Sequence, residues 1–269
     1  MSIITISRGC YSRGKEVAEK VAQKLGYDCI SRDILLDASE QYNIPEFKLE
    51  RAIHHAPSIL DRFTHGKERY IAYIQSALLK YLREDNIVYH GLAGHFFLKG
   101  ISHVLKVRII ADIEDRIQVE MEREKQSPQE ALRIIKGDDE QRRKWSQQLY
   151  GIDTHDSSLY DLVIHIGRIT VDDAADIICH TIGKENFKTT PQSRKAMDSL
   201  SLAAEVKAVL IETNPTVETT AADGKVFVRA KINEFQQLEV IEEMKKRANT
   251  VKGVQEVEIK VLPVTLYSD

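Results

Sequence analysis

The sequence predicts an α/β protein: a parallel sheet covered by helices on both faces, followed by a small α+β unit. Three observations carry that expectation. From residue 1 to about 184, short apolar runs alternate with segments of helical period, and strands joined by helices pair in parallel and bury both sheet faces. The first strand runs into Gly9-x-x-x-x-Gly14-Lys15 and then a helix, the outline of a phosphate-binding loop. Beyond residue 200 the alternation gives way to a hairpin pattern around Asp223-Gly224.

Each element has its own signal. Ile3, Ile4 and Ile6 make a buried-type strand, and Val17, Val21 and Leu25 recur at helical spacing behind it. A short segment at 27–31 precedes helical stretches over 33–42 and 46–54. An amphipathic helix over 67–83 carries Tyr70, Ile74, Ala77, Leu78 and Tyr81 on one stripe. Residues 86–90 and 104–111 read as core strands. Three charged helices are expected in succession, over 112–124, 128–136 and 138–150, before a last strand over 162–166 and a closing helix over 171–182. The polar stretch 185–199 lacks a sustained period and reads as a linker between a domain at 1–184 and a module at 200–264. In that module a helix is expected over 200–212, a second over 235–249 and a strand over 254–261. Val226, Val228, Ala230 and Ile232 alternate with polar residues, as in a half-exposed strand.

The loop supplies the first candidate site. Gly9 and Gly14 allow the chain to curl so that its N–H groups face phosphate oxygens, Lys15 is expected at the β- and γ-phosphates, and the following helix adds its positive end. Gly9, Ser12, Arg13, Gly14, Lys15 and Glu16 are the nucleotide-binding candidates, although Glu16 stands where a Ser or Thr hydroxyl normally ligates Mg²⁺. Downstream, Arg116 and Arg123 are seven apart on one helix, and Asp139 and Arg142 are three apart on the next. Phosphoryl transfer needs cations gathered around the moving group. Lys15, Arg116, Arg123, Asp139 and Arg142 are therefore the catalytic candidates.

Other classes are excluded or disfavoured. A net charge of −3 over 269 residues argues against nucleic acid as the main partner. Three widely spaced cysteines give neither a disulfide framework nor a zinc spacing, as expected of a cytoplasmic protein. Cys10, inside the loop, reads as a passive small residue. His90, His95 and His103 cluster near a strand end without a completing carboxylate or thiol, so no protein-held metal site is expected. Nothing in 200–264 has catalytic spacing. Its near-balanced charge favours a protein partner or self-association over a lipid surface.

Residues 1–183 resemble the cytidylate-kinase-like family of nucleoside monophosphate kinases. The likeness rests on Ile-Thr-Ile-Ser-Arg (4–8) with Ser12 and Gly14, Lys-Leu-Gly-Tyr (24–27) before Ser-Arg-Asp (31–33), and Val-Tyr-His-Gly (88–91). It continues through Glu-Asp-Arg-Ile (114–117), Met-Glu-Arg-Glu (121–124), Ser-Pro-Gln-Glu-Ala (127–131), Asp139-x-x-Arg142 and Tyr-Asp-Leu-Val-Ile (160–164). The resemblance implies a P-loop NTPase-type sheet, phosphorylation of CMP or dCMP by ATP with Mg²⁺, and a lid bearing Arg116, Arg123, Asp139 and Arg142. The chain departs from the pattern at Tyr11 and Arg13, where glycines are usual, and at Gly91-Leu92, where Gly-Arg is usual. Glu16 and Leu92 sustain an alternative, a catalytically impaired nucleotide sensor. Residues 200–264 resemble the BON domain, through Asp-Gly-Lys-Val-Phe-Val (223–228) and Lys-Gly-Val-Gln-Glu-Val-Glu-Ile-Lys-Val (252–261). That likeness implies partner binding without chemistry.

Overall fold

The computed structural model describes residues 2–31, 33–42, 66–91, 94–233 and 236–262. The helix expected over 46–54 lies outside them. Five parallel strands, β1 (Ile3–Arg8), β2 (Asp28–Ile30), β3 (Ile87–Tyr89), β4 (Val104–Ala111) and β5 (Leu162–Ile166), stand in the order β2-β3-β1-β4-β5. Strand side chains alternate between faces, and both faces are covered. Ile4, Ile6, Val88, Val107 and Ile109 pack with α1 (Gly14–Leu25) and α7 (Val171–Ile182). On the other face Ile3, Ile87, Tyr89 and Val104 join α2 (Asp33–Tyr42), α3 (Gly66–Leu82) and the short α4 (Gly94–Phe97) in one apolar cluster.

After β4, α5 (Ile113–Glu124) and α6 (Pro128–Tyr150) form a helical pair. The two helices expected over 128–136 and 138–150 are a single helix of 23 residues. Ser127 caps its start, accepting the Glu130 N–H, with Pro128 in the first turn and Gly151 in the left-handed closing position. Gly137 lies between the two expected helices. A lone glycine weakens a helix by about 1 kcal/mol but, unlike proline, removes no hydrogen bond, so the helix runs through it.

The linker expected at 185–199 is also different. A short 3₁₀ turn at Glu185–Phe187 leads into α8 (Pro191–Leu210), so the helix expected to begin at 200 starts nine residues earlier. Thr190 and Ser193 cap it reciprocally, and Pro191 occupies the first turn. Its early turns bury little apolar surface, which hides the helical period. α8 lies along α3: Met197, Ala204 and Leu210 share a cluster with Leu78, Leu79 and Leu82. Polar ties reinforce the join. The Tyr73 hydroxyl donates to Glu212 (2.9 Å), Arg83 pairs with Asp198 (2.9 Å), and Arg194 pairs with the buried Asp85.

Beyond α8, β6 (Glu218–Ala222) and β7 (Lys225–Lys231) form the expected hairpin, with Asp223 and Gly224 both at positive φ (52° and 80°), as a type I′ turn requires. The helix expected over 235–249 is described as α9 (Gln237–Ala248). It returns the chain to β8 (Glu256–Leu262), which pairs parallel with β7 to give a small mixed sheet. No described helix is long and apolar enough to cross a membrane.

Candidate active site

The loop between β1 and α1 lies at the carboxyl end of the central strand, where ligands collect in parallel sheets. It turns through two left-handed residues, Tyr11 (φ 58°) and Arg13 (φ 59°). These are the positions at which the family pattern would place glycine. The loop is tied to β4: the Gly9 N–H donates to the Ile109 carbonyl (3.3 Å), and the Ser12 hydroxyl reaches the carbonyls of Gly9 (3.0 Å) and Ile109 (3.1 Å). Gly14 allows the turn to close, since a Cβ there would meet Arg8 Cβ at 2.7 Å.

The α5–α6 pair clasps this loop. Asp139 on α6 accepts the Cys10 N–H at 3.0 Å through Oδ1 and an Arg116 N–H at 2.5 Å through Oδ2. Arg116, from α5, also donates to the Cys10 carbonyl at 2.7 Å, and Arg142 donates to the Arg8 carbonyl at 3.4 Å. A carboxylate thus sits on a loop amide that a phosphate oxygen would otherwise use. Burial, opposed by the Arg142 charge, pushes the Cys10 thiol up to about 12, so it stays protonated and inert.

Loop and clasp open onto a cavity of about 320 Å³. It is lined by Arg8, Gly9, Ser12, Arg116, Asp139 and Arg142 and by the apolar Ile34, Ile74, Tyr89 and Phe96. Ser7, His90, His95 and Arg108 also line it. Burial, with the Arg8 charge, pushes His90 down to about 4, and burial, with the Arg108 charge, pushes His95 to about 3. Both imidazoles are neutral at physiological pH.

The structure therefore gathers Gly9, Ser12, Arg116, Asp139 and Arg142 around one cavity, with Gly14 packed under Arg8. It does not bring Lys15 there. α1 begins at Gly14, whose buried face is held by Arg8, and the next helical position is turned about 100° away. Lys15 points to solvent, 3.5 Å from Glu19. Arg13 and Glu16 border a separate shallow depression beside Lys20 and Asp172. Arg123 lies over the Tyr11 ring, 4.9 Å from its centroid, and pairs with Glu124. Asp139 pairs with Arg116. Sequence reasoning missed Arg108 as a site residue; the available signal was a buried arginine on a core strand whose one other charged residue is Lys106.

The donor set fits a triphosphate, with arginines from β1, α5 and α6 lining the cavity. For Mg²⁺, Asp139 is the one carboxylate among the lining residues, and no cluster of three potential ligands occurs among the described residues. The Ser12 hydroxyl is directed at carbonyls. This suits a cation carried mainly by substrate phosphates, as Mg²⁺ commonly is, and not one held by the protein alone.

The chain is similar to a cytidylate kinase from Sulfolobus acidocaldarius, 27% identical over 187 residues, covering 68% of this chain and 96% of that protein. It is likewise 27% identical over 169 residues to a cytidylate kinase from Pyrococcus horikoshii, covering 62% and 80%. An uncharacterized protein from Eubacterium ventriosum shares the fold, with a TM-score of 0.54 and 23% identity over 69% of this chain and all of that one. The profile of the cytidylate kinase-like family matches residues 3–168. The chain belongs to the cytidylate kinase-like family.

Proposed function

We propose that the protein is an ATP-dependent nucleoside monophosphate kinase, passing the γ-phosphoryl group of ATP to CMP, dCMP or a related small acceptor. The observation that carries this reading is the single cavity, which joins a phosphate loop with converging arginines to an apolar recess able to hold a base. Arg116 and Arg142 reach the loop from different helices and supply the positive charge that a transferring phosphoryl group needs. Asp139 orients Arg116. ATP would donate the phosphoryl group, and Mg²⁺ carried on its phosphates would supply neutralising charge. The decisive assay incubates purified protein with ATP, Mg²⁺ and a panel of nucleoside monophosphates, and looks for diphosphates. A diphosphate from CMP or dCMP supports the reading; none from any acceptor overturns it. Arg116→Ala and Arg142→Ala are expected to lower kcat together with kcat/KM, because they act on the transition state.

A nucleotide sensor is the second reading. Two observations favour it: Lys15 faces solvent, and Asp139 already engages the loop amide. A sensor would bind ATP and release no diphosphate. In either reading residues 200–264 serve as a BON-like module for a protein partner or for self-association. That role rests on their sequence pattern and on the absence of any catalytic grouping among their described residues.

A further inference from the structure

Arg108 sits in the middle of β4, on the face shared with Val104, and is only 8% exposed. Its partners are neutral. Nη1 donates to the Ser7 hydroxyl and to the Tyr160 hydroxyl, both at 3.3 Å, and the guanidinium lies 5.6 Å from the Tyr160 ring centroid. No carboxylate pairs with it among the described residues. Buried charges are ordinarily paired, and the neighbouring His95 is held neutral. Arg108 lines the cavity. Ser7 stands opposite Arg108 in the β1–β4 ladder, and Gly9, the start of the loop, lies two residues on, about 7 Å of extended chain. That is where an acceptor must present its oxygen to a triphosphate held by the loop.

We propose that Arg108 is the anion-binding residue of the acceptor subsite: its guanidinium receives the phosphate of the acceptor nucleoside monophosphate, with Ser7 and Tyr160 holding it in place. The proposal rests on the kinase reading for the identity of the acceptor. An arginine carries five donors in a planar fork that matches two phosphate oxygens at once. The missing counter-charge would then be the ligand itself.

The test is calorimetric titration of the full chain, saturated with a non-hydrolysable ATP analogue, using CMP, cytidine and inorganic phosphate as probes. In Arg108→Met, CMP binding should weaken about tenfold or more, phosphate binding should vanish and cytidine binding should not change. Arg108→Lys should fall between Arg108→Met and the wild type, since a point charge copies the fork only in part. The ligand-free thermal midpoint of Arg108→Met should equal or exceed the wild-type value, because a buried unpaired charge is gone. Unchanged CMP and phosphate binding would overturn the proposal. So would an equal loss of CMP and cytidine binding with a lowered midpoint, the signature of a structural arginine. If the wild type phosphorylates no nucleoside monophosphate, yet binds phosphate and Arg108→Met does not, the kinase reading falls and the subsite stands.

Discussion

Arg13 holds a left-handed backbone conformation that an L-residue adopts at a penalty of about 1–2 kcal/mol. Glycine removes that penalty but gives back roughly 0.5–1 kcal/mol in chain entropy. Arg13→Gly should therefore raise stability by about 0.5–1 kcal/mol in urea unfolding, whereas Arg13→Ala should not, because alanine keeps the Cβ. ATP affinity should stay the same in both, since Arg13 borders a different depression and does not line the cavity. The two cavity histidines give a pH dependence of defined sign. Their folded values, about 4 for His90 and about 3 for His95, lie below the ordinary 6.5, so the unfolded chain binds protons first as pH falls. Stability should be fully present above pH 6.5 and drop by about 1.4 kcal/mol per pH unit for each histidine below it. His95→Gln should flatten the decline between pH 6.5 and 4.5; an identical slope would mean that His95 is not held neutral. The loop was legible from Gly9, Gly14 and Lys15, but the turn falls on Tyr11 and Arg13. Sequence shows where glycine permits a left-handed turn, not where other residues are forced into one.

α6 carries both halves of a conflict at the loop. Its Asp139 accepts the Cys10 N–H and holds Arg116, so a phosphate entering the loop meets a like charge already bonded to the same amide. Asp139→Ala should tighten binding of a non-hydrolysable ATP analogue about threefold to tenfold, the scale of one charge-assisted contact. It should also lower kcat by leaving Arg116 unaimed. Weaker analogue binding would mean that Asp139 assists the ground state. Gly137, two residues before it in an otherwise strong helix, has nothing within 4 Å of a Cβ built on it. Gly137→Ala should stabilise the protein by about 1 kcal/mol, read as a shift in urea midpoint; no shift would mean that this turn is already open. Elements with a clear apolar period, β1, α1, β4, β5 and α7, were legible at close to their observed ends. Two were not. The low helix propensity of Gly137 interrupts the pattern of α6 without breaking the helix, and the first half of α8 has the polar sequence of a linker, although Thr190-Pro191 and Ser193 spell a helix start.

The whole molecule is more continuous than its sequence suggests. α8 belongs to the apolar cluster of α3, and its start is pinned at a buried node. Asp85, with no exposed side-chain surface, pairs with Arg194, accepts the Thr189 hydroxyl at 3.0 Å and lies 3.4 Å from His103 Nε2. The site was partly legible because arginines at helical spacing can be seen in one dimension; this junction was not, because Asp85, His103 and Arg194 are far apart in the chain and none carries a local pattern. Burial tends to raise the Asp85 carboxyl, but the contacts from His103 and Thr189 and the Arg194 charge together hold it below its ordinary 3.8. The sign follows. The node stabilises the fold above pH 3.8, where the unfolded carboxylate is also ionised, and that contribution is lost as pH falls through the lower folded value. Replacing Arg194 by Met leaves a buried carboxylate short of its cation, a loss of about 1–3 kcal/mol, moderated because Arg194 itself is one-third exposed. Because both sides share one core, the wild type should unfold at neutral pH in a single transition reported alike by Trp145 fluorescence in the first unit and by hydrogen exchange in β7 of the second. Arg194→Met should move both probes together to lower urea. If β7 exchanges in a separate, earlier step in the wild type, the two units are energetically independent and the node is only a surface tie. Coincident transitions would mean that a partner bound on residues 200–264 also stabilises α3, a wall of the cavity through Ile74.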